Sequence, residues 1–142
     1  MDIGKVVKDY IAKPVIVLVG AAAIVTGVFT GLNFYEHNNI RYKTDTKEVM
    51  QKADGVFGYT EIKLNKDGSR EVARNSPFNY TSYKDKDGNG KVDEIWKQIP
   101  NQYSRGSHLG FLRRSENLND YGVVFEKADN DFTHQMKRFG LK

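Results

Sequence analysis

Pro14 to Tyr35 reads PVIVLVGAAAIVTGVFTGLNFY, an uncharged apolar run held between Lys13 and Glu36. As a helix it would be about 33 Å long, enough to cross the hydrocarbon core of a bilayer. No other stretch limits the fold so strongly. The mean hydropathy of the chain is -0.62, so with this run set aside the remainder is very polar. A buried core helix is one alternative, but so polar a remainder could hardly cover the run on all sides. A cleaved signal peptide is another, with Ala21-Ala22-Ala23 supplying small residues after a short apolar segment. The run continues past Ala23 to full spanning length, which favours an uncleaved single-pass anchor. Tyr10 on one side and Phe34, Tyr35 and Tyr42 on the other suit the two membrane interfaces.

This divides the chain into an N-terminal tail (1–13), a transmembrane helix (14–35), a connector (36–43) and a soluble α+β domain (44–142). In the tail, Ile3, Val6, Val7, Tyr10 and Ile11 fall at helical spacing, as an interfacial helix leading into the span would require. Flanking charge does not orient the anchor, because Lys5, Lys8 and Lys13 before it are balanced by Arg41, Lys43 and Lys47 after it. A short lysine-bearing tail is easily retained, so the expected arrangement has the soluble domain extracytoplasmic. Within the span Ala23, Gly27 and Gly31 recur every four residues and share one helix face, where a second backbone can approach closely. The expected partners are the lipid bilayer and another protein, met as a homo-oligomer or within a larger membrane complex.

The expected soluble domain is a small antiparallel sheet with short flanking helices. TDTKEVMQKADG offers Thr44 or Asp45 as an N-cap, Glu48 in a first turn and Gly55 as a stop, which predicts a short helix. VFGYTEIKL and SREVARN flank an Asn65-Lys66-Asp67-Gly68 turn and predict a hairpin. FNYTSY and VDEIWKQI predict two further strands. Residues 101–119 read mostly as loop with a short element near Leu109 to Leu112, YGVVFEK as a strand, and DNDFTHQMKRFG as a terminal helix capped near Asn130 with Phe132, Met136 and Phe139 on one face.

No enzyme signature emerges, and the chain is expected not to be an enzyme. It has no cysteine and three histidines; His37, His108 and His134 define no zinc spacing. Ser107 beside His108 is a weak catalytic pair, since sequence neighbours seldom point at each other. Arg105, Arg113 and Arg114 with His108 suit a solvated face better than a phosphate site. The net charge of +4 comes from Lys and Arg interleaved with Asp and Glu, so no nucleic-acid partner is expected.

One segment does carry chemistry. In DKDGNGKVDEIW, Asp85, Asp87 and Asn89 place oxygen ligands at positions 1, 3 and 5, and Gly90 at position 6 permits a sharp turn. The Lys91 carbonyl falls at position 7 and Asp93 at position 9, while Val92 can anchor the loop to the core. A hard cation wants six to eight oxygens, and this spacing supplies them. The run resembles the EF-hand loop through those positions and is similar to the calcium loops between strands of integrin-type propellers. It departs from the EF-hand at position 12, where Trp96 replaces the bidentate glutamate, and predicted strands flank it. The resemblance implies one structural calcium ion, bound in the roughly 10⁻⁴ to 10⁻³ M range of extracellular modules. A plain turn is the alternative, because Asp, Asn and Gly are also turn residues. The expected role is a membrane-anchored interaction or scaffold module; the alternative is an accessory subunit packing its transmembrane helix into a multi-subunit membrane enzyme.

Overall fold

The computed structural model describes residues 13–77, 79–100 and 107–142. The interfacial helix expected around Ile3 to Ile11 lies outside them. Helix α1 (Lys13–His37) leads into seven strands: β1 (Ile40–Lys43), β2 (Lys47–Asp54), β3 (Gly58–Asn65), β4 (Arg70–Ser76), β5 (Asn79–Asp85), β6 (Glu94–Pro100) and β7 (Ser107–Arg113). Helix α2 (Arg114–Arg138) closes the domain. The strands form one antiparallel sheet in chain order, β1 to β7. The fold is therefore α+β, with a single apolar helix ahead of an antiparallel-sheet domain.

Register explains the core. Met50, Ile62, Val72, Tyr83, Ile95 and Leu112 stand opposite one another on successive strands, forming one row across the sheet. Alternation puts this row on a single face, and α2 covers it with Phe125, Ala128, Phe132 and Met136. Phe125 and Phe132 are fully buried there. Each such aromatic accounts for several kcal/mol, since truncating a buried Phe to Ala typically costs about 3–5 kcal/mol. The opposite face mixes charged and apolar groups: Lys63 bridges Glu61 (3.3 Å) and Glu71 (3.6 Å), Trp96 packs on Phe111 at 4.3 Å, and Val49, Ala53 and Ala73 are buried.

Helix α2 is broken at Tyr121 (φ −124°, ψ 26°). Arg114 Nη2 nevertheless donates to Asp129 Oδ1 at 2.5 Å, although those residues would stand about 22 Å apart on a straight helix. The break folds the first arm back against the second. At the far end Gly140 (φ +75°) turns the chain in the left-handed region. Gly140 N donates to Lys137 O at 2.9 Å and Leu141 N to Met136 O at 3.0 Å, as in a Schellman stop.

Three local expectations are corrected. The stretch read as a helix from Thr44 to Gly55 is β2: Met50 faces α2 while Val49 is buried on the other side of the sheet, and pairing with β1 and β3 overrides the cap signals. Of the stretch read mostly as loop, the element near Leu109 to Leu112 is β7, while Arg114 to Asn119 begin α2. YGVVFEK is helical, and the helix begins at Arg114, well before Asn130.

Candidate metal centre

The meander fixes where each turn lies. Successive turns alternate between the two ends of the sheet, so the β1–β2, β3–β4 and β5–β6 connections share one end. The β2–β3 and β4–β5 turns share the other, together with the C-terminus of α1. The Asp85–Asp93 loop is the β5–β6 connection, closed by Lys84 paired with Glu94 and by Asp93 N donating to Lys84 O at 2.8 Å.

Asp85 ends β5 fully buried. Its Oδ1 accepts from Gly88 N (2.8 Å) and Asn89 N (3.1 Å), and its Oδ2 from Gly90 N (2.9 Å). The loop thus winds around this carboxylate. Asp87 accepts from Asn89 N (3.2 Å) and from Asn89 Nδ2 (2.8 Å), Asn89 Oδ1 from Lys91 N (2.7 Å), and Asp93 Oδ2 from Lys86 N (2.7 Å). Gly90 adopts φ +86°, as a sharp turn at position 6 demands. Gly88, at φ +72°, packs so closely on the β3–β4 turn that a Cβ would meet Gly68 O at 2.8 Å.

Asp85, Asp87 and Asp93 each offer a carboxylate oxygen within 4.8 Å of the others, a cluster that could hold a metal ion. Asp85 is buried, Asp93 half-buried and Asp87 exposed. A carboxylate has about four lone-pair positions, so the backbone donors leave each Asp able to accept more. Nearby cations are mostly turned elsewhere. Lys86 pairs with Glu94, which Arg113 Nε also approaches at 3.6 Å. Arg70 Nε stands 3.8 Å from Asp85 Oδ2, while its Nη2 donates to Gly88 O. The donor set is all oxygen, which matches a hard cation and not a thiophilic metal.

Val92 anchors the loop as expected: it is fully buried in the core cluster. Sequence reasoning missed how the loop is held from outside. Val92 N donates to Asp129 Oδ1 at 2.7 Å, and Arg114 Nε to Val92 O at 2.6 Å. Asp129 and Arg114 belong to α2, so the helix grips the loop at position 8; no local spacing marks them.

The other expected sites lie elsewhere. Ala23, Gly27 and Gly31 are exposed on α1, and a Cβ on either glycine would meet nothing within 4 Å. His37 stacks on Tyr59 at 4.0 Å, and His134 is exposed on α2. Arg113 and Arg114 are spent on Glu116 and Asp129.

A second constellation joins α1 to the sheet. Asn33, 7% exposed, donates through Nδ2 to Gly55 O (3.0 Å) and Gly58 O (2.8 Å) of the β2–β3 turn. Phe29 packs on Phe57 at 5.2 Å, and His37 Nδ1 lies 3.2 Å from Gln51 Oε1. The signal was present in the sequence, because a lone asparagine in an apolar run must spend its donors somewhere. From Leu18 to Phe29 every side chain is exposed, and this is the one described helix long and apolar enough to cross a membrane.

Comparison with protein-family models, curated proteins and solved structures returned no match.

Proposed function

We propose that this chain is a single-pass membrane protein whose sheet domain, held outside the cytoplasm, is stiffened by one calcium ion in the β5–β6 loop and serves as an interaction or scaffold module. The observation carrying this reading is that α1 leaves its apolar surface uncovered through Phe29, yet is fastened to the sheet by the buried Asn33. A helix cleaved near Ala23 would shed most of that uncovered surface and leave the fastening behind. In the loop, Asp85, Asp87, Asn89 and Asp93 side chains and the Lys91 carbonyl would hold the ion, whose two charges offset three carboxylates that, among the cationic side chains of the described residues, only Arg70, 3.8 Å from Asp85, approaches. The strand-loop-strand setting fits the integrin-type version of the motif and needs no glutamate at position 12. A site of the 10⁻⁴ to 10⁻³ M class fills outside cells, which agrees with the proposed orientation.

Thermal melting of the detergent-solubilised chain tests the ion. Calcium at ten times its dissociation constant should stabilise the fold by about 1.4 kcal/mol. Magnesium should do less, since its small octahedral shell fits a flexible many-oxygen loop poorly. Asp87→Ala should abolish the shift; Asp67→Ala, whose carboxylate only accepts from Ser69, should keep it. Identical melting in calcium and in chelator would reduce the loop to a turn.

The alternative, an accessory subunit of a membrane enzyme complex, draws on the open Ala23, Gly27 and Gly31 face. A stoichiometric set of larger membrane subunits co-purifying in mild detergent would favour it.

A further inference from the structure

The apolar helix and the sheet domain overlap along the helix axis. From Pro14 to Val28 it measures about 22 Å, and from Leu18 on its side chains are exposed. A hydrocarbon core is about 30 Å thick, so this segment falls short by about 8 Å. Phe29 to Tyr35 are the uncharged residues that supply the missing length, since Lys13 ends the uncharged run on the other side. Those residues run beside the β2–β3 turn: Phe29 lies against Phe57, and Asn33 reaches the Gly55 and Gly58 carbonyls.

We infer that the β2–β3 turn, led by Phe57 with Val56, is inserted into the bilayer interface alongside α1, so that the lipid surface is the partner of this end of the sheet. The inference rests on α1 spanning the membrane. Phe57 is 52% exposed and continues the apolar surface of Phe29, 44% exposed. Exposed Pro77, in the neighbouring β4–β5 turn, borders with Val56 and Phe57 a cleft of ≈ 420 Å³ at the same end, whose other walls are polar and include Asp54 and Arg74.

The polar groups of the turn are prepared for such a place. Backbone carbonyls entering lipid must be satisfied by protein, and Asn33 closes two of them. The same bonds make an asparagine tolerable at that depth, since both Nδ2 donors are used. The domain is thereby held in one orientation on the membrane instead of swinging on a linker.

Depth-dependent fluorescence quenching in lipid vesicles tests this. Trp96 is the only tryptophan, so Phe57→Trp and Ile24→Trp are each placed in a Trp96→Phe background. The full chain is reconstituted into phosphatidylcholine brominated either near the headgroup or near the chain ends, with circular dichroism confirming the fold. Phe57→Trp should lose emission to the shallow bromines, and Ile24→Trp to the deep ones. Quenching of Ile24→Trp without quenching of Phe57→Trp overturns the inference and leaves the anchor standing. An unquenched Ile24→Trp overturns the anchor and the inference together. Should Phe57→Trp perturb the turn, Phe57→Cys carrying an environment-sensitive fluorophore gives the same reading: a blue shift on reconstitution supports insertion, and an unshifted spectrum overturns it.

Discussion

Tyr83 sits in the row of residues beneath α2, and burial together with the carboxylate of Asp131, to which its hydroxyl is hydrogen-bonded, pushes its pKa up to about 12. Because the folded value lies above the ordinary 10, this contribution to stability is complete below pH 10 and is lost as pH rises through about 12. In an absorbance titration of tyrosinate, the Tyr83 phenol should therefore ionise at about 12, and Tyr83→Phe should remove that contribution. Tyr59, also raised by burial and by Glu61, should still titrate late in the variant. Individual residues were unevenly legible from sequence. Asp85, Asp87 and Asn89 declare themselves by spacing, and Val92 by being the apolar residue inside a polar loop. Arg70, Arg114 and Asp129 reach the loop from other elements, so only the tertiary fold brings them there.

Among the elements, the hairpin of β3 and β4 and the pair β5 and β6 follow from alternation and turn chemistry, and the structure forms both. The failures share a cause. Val49, Met50 and Ala53 are spaced as one helix face would be, yet the strand divides them between the two faces of the sheet, Met50 beneath α2 and Val49 and Ala53 on the other side. Val123 and Val124 imitate a strand, but Val123 is 80% exposed and the period of three to four joining Phe125, Ala128, Phe132 and Met136 governs the segment. In α1 the face of Ala23, Gly27 and Gly31 is open on the side where another helix could lie. Gly27→Leu combined with Gly31→Leu should lower the yield of cross-linked species in membranes while leaving the melting of the sheet domain unchanged, because a side chain on either glycine points away from the domain into open space. An unchanged cross-linking yield would assign that face to lipid.

At the scale of the whole molecule, sidedness can be read from a chain with no cysteine of its own. Lys66, exposed in the β3–β4 turn, is a suitable position. Lys66→Cys should react with an impermeant maleimide added to intact cells, and labelling only after lysis would reverse the proposed orientation. Every turn sharing an end with Lys66 faces away from the side where α1 joins the sheet, and the β5–β6 loop is among them. Strand β5, with 7 residues, separates that loop from the opposite end by about 23 Å along the strand. Anionic headgroups gather cations only within a Debye length, about 8 Å at physiological ionic strength. With α1 in a membrane, the acidic loop stands outside that ionic atmosphere: an ion bound there would be drawn from the bulk fluid, and the lipid composition beneath the domain would not set its occupancy.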